Sequence, residues 1–90
     1  MEETNIIEIL DSIDPALLEY QEWLNVGFAL KQEGHSCEVW DKWSMRDFAR
    51  YHKGECERKW KGFRGSAVPV TAGTIVQYAK NQGWKPERNS

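Results

Sequence analysis

The sequence predicts an all-α fold, a compact bundle of about five helices, some of them short. Apolar residues recur at i, i+3/i+4 and i+7 in several segments, which is the spacing of one helix face. Capping residues, glycines and prolines separate these segments. Ninety residues, of which 40% are hydrophobic, suffice for one small core. We therefore expect one domain at residues 1–84 and a polar tail or linker at 85–90, and interpret the chain as a piece of a longer protein.

The first helix is predicted at residues 5–13, whose apolar residues follow helical spacing. They are Ile6, Ile9, Leu10 and Ile13. Pro15 ends this helix, because a proline cannot continue the helical hydrogen bonding, yet it suits the first turn of the next helix. Asp14 is then expected as the N-cap of the second helix.

The second helix is expected from about Ala16 to Glu33, before Gly34, which suits the left-handed position that follows a helix. Its predicted inner face comprises Tyr20, Trp23, Leu24, Gly27 and Leu30. A glycine inside a helix costs roughly 1 kcal/mol against alanine. Gly27 therefore indicates that a neighbouring helix or an aromatic ring approaches closely there.

Two shorter helices follow, and both show apolar residues at helical spacing. The third is capped by Ser36, and the fourth runs from about Gly54 to Phe63. Their predicted buried residues are Cys37, Trp40, Trp43 and Ser44 in the third helix and Cys56, Trp60 and Phe63 in the fourth. Residues 48–53 form a less regular connection, with Tyr51 turned inward.

The aromatic residues of these two helices are interpreted as core, because a domain this small needs the large area that each indole or phenyl ring buries. They are Trp40, Trp43, Trp60 and Phe63. The alternative is that Trp43 or Trp84 stays exposed and stacks on the bases of a single-stranded nucleic acid.

The last helix is expected after residues 65–70, which are predicted to be extended because Pro69 forbids a helix. Thr71 caps this helix and Gly83 closes it, with Lys80 near its negative end. The inner residues are Ile75, Val76, Tyr78 and Ala79.

Charge divides the chain into an acidic and a basic part. Residues 1–33 carry eight acidic residues and one basic residue, a net charge of −7, whereas residues 34–90 carry eleven basic and six acidic residues, a net charge of +5. Such asymmetry indicates a polyanionic partner. The alternative is that the two halves attract each other across the domain.

Catalytic chemistry finds no support in the sequence. There is no glycine-rich phosphate loop and no pair of acids of the kind that two-metal chemistry uses. Asp41 and Asp47 are interpreted as ion partners of Lys42 and Arg46. We expect no catalytic residue and no cofactor, so the fragment alone is not an enzyme.

A metal site and an oxidising compartment are also not expected. His35-x-Cys37 and His52-x-x-x-Cys56 do not have the spacing of common zinc sites, and both cysteines fall on predicted inner faces. Two cysteines are too few for a disulfide framework. No apolar run has membrane length, and the N-terminus lacks the form of a signal peptide. The sequence thus predicts a cytoplasmic protein with reduced thiols and no membrane partner.

A basic block lies within nineteen residues, on the connection between the third and fourth helices and on the fourth helix itself. If several of its members share a face, they would follow a phosphate backbone and bind it without reading its sequence. We predict these nucleic-acid-binding residues: Arg46, Arg50, Lys53, Arg58, Lys59, Lys61 and Arg64.

Several sequence blocks follow one another along the chain: Glu22-Trp-Leu-Asn-Val-Gly-Phe-Ala-Leu-Lys31, Val39-Trp-Asp-Lys-Trp-Ser44, Tyr51, Glu55-Cys-Glu-Arg-Lys-Trp-Lys-Gly-Phe63 and Thr71-Ala-Gly-Thr74, followed by Ile75, Tyr78, Ala79 and Gly83. Together they resemble the second type of primase C-terminal helical domain, found in primases and primase–helicases of bacteriophages, plasmids and integrated elements. The resemblance covers about residues 5–84.

The resemblance implies an α-helical module that follows a primase-polymerase domain of the archaeo-eukaryotic type and often precedes a helicase ATPase. Most residues that carry the match are those we interpret as core. The resemblance therefore supports an inference about the fold better than one about the function. The preferred hypothesis is a non-catalytic accessory domain, monomeric when isolated, that helps bind single-stranded DNA or a template–primer. The alternative is a protein-interaction or spacer module that docks primase to helicase without touching DNA.

Overall fold

Five α-helices and one 3₁₀ turn form the described part of the chain, residues 6–63 and 71–85 of a computed structural model. These ranges contain no strand, which confirms the predicted all-α class. The helices are α1 (Ile6–Asp11), α2 (Tyr20–Gln32), α3 (Cys37–Ser44), α4 (Glu55–Gly62) and α5 (Ala72–Asn81), and the 3₁₀ turn is Pro15–Leu17. The predicted extended segment 65–70 and most of the predicted tail lie outside the described residues.

Helix α2 is the central element of the bundle. It packs against α3, α4 and α5, while α1 packs against α5 and α3 against α4. The core therefore forms between α2 and two helix pairs. The apolar residues predicted for the first helix, Ile6, Ile9, Leu10 and Ile13, are all buried in this core, as predicted.

The beginning of α2 differs from the prediction. Asp14 does act as an N-cap, since its Oδ1 accepts a hydrogen bond of 3.0 Å from the Ala16 N–H, but it caps the separate 3₁₀ turn. Helix α2 begins only at Tyr20. A second capping signal decides this boundary: the Glu22 carboxylate accepts a hydrogen bond of 2.8 Å from the backbone N–H of Glu19.

The other predicted helix ends are largely confirmed. Gly34 and Gly83 have positive φ angles of 88° and 102° directly after α2 and α5. The Thr71 hydroxyl accepts a hydrogen bond of 3.2 Å from the Gly73 N–H and caps α5. Ser36 occupies the N-cap position of α3, but its side chain makes no capping hydrogen bond.

The inner face of α2 is partly different from the predicted one. Leu30 and Gly27 are buried, and so are Val26 and Ala29, but Tyr20 is 50% exposed. The reason is that Tyr20 lies in the first turn of α2, beyond the edge of the core. Its phenol ring contacts the neighbouring Trp23, with 5.5 Å between ring centroids, and about half of the residue remains in solvent.

An aromatic cluster around Trp40 fills the space between α2, α3 and α4. The Trp40 ring is fully buried, and its centroid lies 4.5 Å from that of Trp23, 6.0 Å from Trp60 and 5.4 Å from Phe63. These separations are typical of favourable aromatic pairs. Trp43 is only 3% exposed, which confirms that it is core and excludes it as a base-stacking surface. Trp84, the other candidate, is partly buried against the same core.

Gly27 lies directly against the Trp40 indole. A Cβ atom at Gly27 would lie 2.5 to 2.7 Å from three atoms of that ring, which is closer than real Cβ contacts allow. The close approach of an aromatic ring, which the sequence predicted for this position, is thus confirmed. Only a residue without a side chain lets α2 and α3 pack at this distance.

We predict that Gly27→Ala destabilises the domain, although alanine favours a helix by roughly 1 kcal/mol. The methyl group must displace the Trp40 ring from a closely packed cluster, and such overpacking costs about 1–3 kcal/mol. Gly62→Ala is the matched control, because a Cβ there meets no atom within 4 Å. Urea denaturation should show a lower free energy of unfolding for Gly27→Ala and no decrease for Gly62→Ala. Equal stabilities of the two variants would contradict the prediction.

Candidate nucleic-acid interface

Arg46, the first residue of the basic block, is exposed but is already bound by other groups of the protein. Its guanidinium contacts the Asp11 carboxylate, and Nη1 donates a hydrogen bond of 2.9 Å to the Asp11 carbonyl. This contact joins the segment after α3 to the end of α1. It also joins the basic part of the chain to the acidic part, which is the alternative explanation of the charge asymmetry.

Arg50 is bound even more extensively. Its Nη2 donates hydrogen bonds to the carbonyl oxygens of Pro15, at 3.0 Å, and Leu18, at 2.9 Å. Its Nε lies 2.5 Å from the Asp47 carboxylate. The guanidinium thus binds the carbonyls at the end of the 3₁₀ turn, of which that of Pro15 also accepts from the Leu18 N–H at 3.1 Å. Most of its donors are not available to a phosphate.

The predicted ion partners in this region are wrong. Asp47 binds Arg50 rather than Arg46, because the connection after α3 turns back on itself. Lys42 pairs with Glu38, one helical turn away, at 3.4 Å.

Asp41 accepts a hydrogen bond of 2.8 Å from the Tyr51 hydroxyl, which explains why Tyr51 is turned inward as predicted. The same hydrogen bond raises the pKa of Tyr51 to about 12. Asp41 is thus engaged by a neutral phenol and not by Lys42, the partner that the sequence suggested.

Lys59 has a different kind of partner. Its ammonium lies over the exposed Tyr20 ring, 5.7 Å from the ring centroid, in a cation–π contact. The interaction with the Tyr20 side chain raises the pKa of Lys59. The positive charge remains partly accessible, because Lys59 is only half-buried.

The side chains of Lys53, Arg58 and Lys61 make no hydrogen bond or ion pair with any residue that the structure describes, and all three residues are exposed. Arg58 and Lys61 are one turn apart on α4 and share a face. The Arg58 guanidinium reaches back towards the turn that contains Lys53, since its Nη1 would lie 3.5 Å from a Cβ at Gly54. We call these three residues the α4 strip. Arg64, the last member of the predicted block, lies outside the described residues.

A cavity of about 250 Å³ lies beside Lys59 and was not foreseen from the sequence. Its aromatic walls are Tyr20, Trp23 and Tyr51, and its charged lining includes Asp47, Arg50 and Glu55. The inward orientation predicted for Tyr20 concealed it. Residues 20–23 and 44–56 are distant in the chain, and no local pattern signals that they meet.

Cys56 also lines this cavity but is chemically inactive. Burial raises the pKa of its thiol to about 12, and its Sγ lies 3.5 Å from the Ser44 hydroxyl. The thiolate that a nucleophile or a metal ligand requires is therefore not formed near neutral pH. Among the described residues no group of three or more His, Cys, Asp or Glu is placed to hold a metal ion. In the same part of the chain, no helix is long and apolar enough to span a membrane.

A comparison with protein families gives one match. The family model described as Primase C terminal 2 (PriCT-2) matches residues 6–79, from the first residue of α1 into α5. No curated protein and no solved structure matches the chain significantly.

We predict that Arg50→Gln lowers the free energy of unfolding by about 1–2 kcal/mol, because hydrogen bonds from a charged donor contribute about 1.5–3 kcal/mol and this side chain is half-exposed. The carbonyls of Pro15 and Leu18 lose the charged donor, and only that of Pro15 keeps another donor, the Leu18 N–H. Lys53→Gln removes the same charge from a residue of the α4 strip and should change stability by less than about 0.5 kcal/mol. Urea denaturation distinguishes the two, and equal effects would show that Arg50 is not structural.

We predict that the domain loses stability as the pH rises from about 9 towards 12. The Cys56 thiol ionises near pH 9 when exposed but near 12 in the folded protein. In this range the unfolded chain therefore releases a proton that the folded chain retains, which favours unfolding. Tyr51 acts in the same direction. Urea denaturation at stepped pH should give a shallower decline for Cys56→Ala than for the unmodified chain, and identical slopes would contradict this.

Proposed function

This chain belongs to the primase C terminal 2 family, and from that membership we propose that it helps a DNA primase or primase–helicase hold single-stranded template or template–primer. The match confirms the resemblance noted in the sequence blocks. The family is a non-catalytic C-terminal domain of primases, so the chemistry belongs to other domains. The proposed role of this domain is to keep DNA close to the polymerase domain.

The α4 strip is the observation that carries the proposal. Arg46 and Arg50, which the sequence placed in the same site, are occupied by carbonyl and carboxylate groups of the protein. Two exposed cations are left on α4 and one, Lys53, in the turn before it, and Lys59 adds a fourth charge beside them. A solvated cation without a partner gives up no protein contact when it binds a phosphate, whereas Arg46 or Arg50 would first have to release an internal partner.

The expected affinity is weak. Three or four phosphate contacts on single-stranded DNA give a slope of about −2 to −3 for the logarithm of the binding constant against the logarithm of salt concentration. Glu55 and Glu57, in the first turn of the same helix, reduce the local positive potential. Weak binding is sufficient, because attachment to a polymerase domain raises the local DNA concentration to the millimolar range.

The helix packing supports the same orientation. Helix α4 packs against α2 and α3, whereas α1, which carries part of the acidic charge, packs against α5. In this proposal the acidic N-terminal part faces a neighbouring domain of the primase while α4 faces DNA. We place the parent protein in the cytoplasm, in the replication of a phage, plasmid or integrated element.

A docking module is the second candidate, and one observation favours it. Phe48 is 86% exposed, and Leu17 and Met45 are exposed to 68% and 48%. Exposed apolar side chains of this size are common at protein interfaces. In this function the domain would join primase to helicase and would not bind DNA.

We predict that the 90-residue chain binds a labelled single-stranded oligonucleotide at low salt and loses it at moderate salt. Arg58→Glu/Lys61→Glu should weaken binding about tenfold or more and reduce the salt slope by about 2. The control is Lys42→Glu/Lys80→Glu, which changes the net charge equally at exposed positions on α3 and α5. Fluorescence anisotropy measures both.

Two results would contradict the proposal. Absence of binding by the unmodified chain at low salt would leave the docking function. Equal losses in the two double variants would show that only net charge matters and that α4 is not the interface.

A further inference from the structure

We propose that the cavity beside Lys59 receives one base of the bound DNA strand and prefers a base with an exocyclic amino group, cytosine above all, over thymine. This inference rests on the proposed function and adds a second part, the cavity, to the DNA-binding site. The α4 strip would follow the phosphates, and the cavity would hold a base. Its walls come from α2 and from the chain between the end of α3 and the start of α4.

The size of the cavity favours a single ring system. Its volume of about 250 Å³ is below the range of about 300–1,000 Å³ in which pockets enclose whole drug-sized ligands. A base fits while its sugar and phosphate stay outside. Single-stranded DNA presents such bases, because they are not paired and can turn out of the strand.

The aromatic wall suits a planar ligand and is rigid. Tyr20 and Trp23 lie side by side, with their ring planes inclined by 36°. The Trp23 indole N–H donates a hydrogen bond of 2.8 Å to the Ser44 hydroxyl, which fixes its ring. Tyr20 is half-exposed although it is a large aromatic residue, and the Lys59 ammonium lies over its ring; a base would stack on the part of the ring that remains in solvent. Stacking on such side chains is the usual way in which proteins hold unpaired bases.

The polar lining contains one acceptor that is not already used. The Arg50 guanidinium is directed through Nε and Nη2 to Asp47 and to backbone carbonyls. The Glu55 carboxylate accepts no hydrogen bond from a described residue, and the His52 ring lies near it, with 3.9 Å between Nδ1 and Oε1. A carboxylate in this position accepts from the amino group of cytosine, whereas thymine presents a carbonyl there and is repelled.

The same carboxylates determine which part of a nucleotide enters. Asp47 and Glu55 have side chains that are only 13% and 23% exposed, and their charges disfavour a phosphate inside the cavity. Lys59 stands outside, over the Tyr20 ring, and is adjacent to Arg58 in the chain. A phosphate therefore has its favourable position at the edge of the cavity, next to the α4 strip, when the base lies inside.

The test compares oligodeoxycytidylate with oligothymidylate of equal length by fluorescence anisotropy. We expect the unmodified chain to bind the cytosine strand about tenfold more tightly, since one base contact of this kind discriminates by a factor of that order. Glu55→Gln should abolish the preference, because an amide donates to thymine as well as it accepts from cytosine. Glu57→Gln is the matched control: it removes the same charge from an exposed position of α4 and should keep the preference.

The variant Tyr20→Ala distinguishes the contribution of base stacking from that of phosphate binding. It should weaken binding of both strands but leave the salt slope unchanged, because no phosphate contact is lost. Arg58→Glu/Lys61→Glu should reduce the slope and keep the ratio between the two strands. Equal affinity of the unmodified chain for the two strands, or a preference that survives Glu55→Gln, would overturn the inference even if DNA is bound.

If no oligonucleotide binds at low salt, the α4 strip fails as a DNA site and the cavity is tested separately. Deoxycytidine and thymidine would then be titrated against the chain by NMR, with the indole N–H resonance of Trp23 as the probe. A shift caused by deoxycytidine alone, and lost in Glu55→Gln, supports the cavity as a base site. No shift, or equal shifts with both nucleosides, overturns it.

Discussion

The contact between the Trp40 indole and the backbone of Gly27 determines how closely α2 and α3 approach each other. The rest of the structure depends on it, because the same indole also contacts Trp60 and Phe63 and thereby places α4. One buried ring thus positions three helices. In a chain of 90 residues there is little other apolar area to replace it.

The distribution of the basic residues follows from this arrangement. Once α3 and α4 are placed, the connection between them lies against the end of α1 and the 3₁₀ turn, where Arg46 and Arg50 find carbonyl oxygens. The bases of α4 have no such neighbours and remain in solvent. A basic block that looks uniform in the sequence is therefore divided into a structural part and an accessible part, and only the second is suited to an external anion.

Most of the fold was predictable because helical spacing and caps are local. The burial of Trp40 and Ile13 was predicted from spacing within one helix, and so was the close approach at Gly27. Most of what failed depends on residues far apart in the chain: the Arg50 guanidinium binds carbonyls 32 and 35 residues away. The exposure of Tyr20 and the cavity are likewise products of tertiary packing, and no periodicity within one helix contains that information. The pairing of Asp47 with Arg50 is local, but it lies in the irregular segment between α3 and α4, to which helical spacing does not apply. For the candidate site, the sequence predicted which basic residues are present but not which of them are accessible to a phosphate.

The two arginine contacts also determine how far this domain can be shortened. Because Arg46 and Arg50 anchor to Asp11, Pro15 and Leu18, the segment before α2 is an integral part of the folded unit. A shortened version that starts at α2 would expose Trp43, whose indole N–H is bound to the Ile13 carbonyl, and would release both guanidinium groups. Those freed cations would then attract polyanions artificially, so a truncated fragment would overstate the affinity of the intact domain.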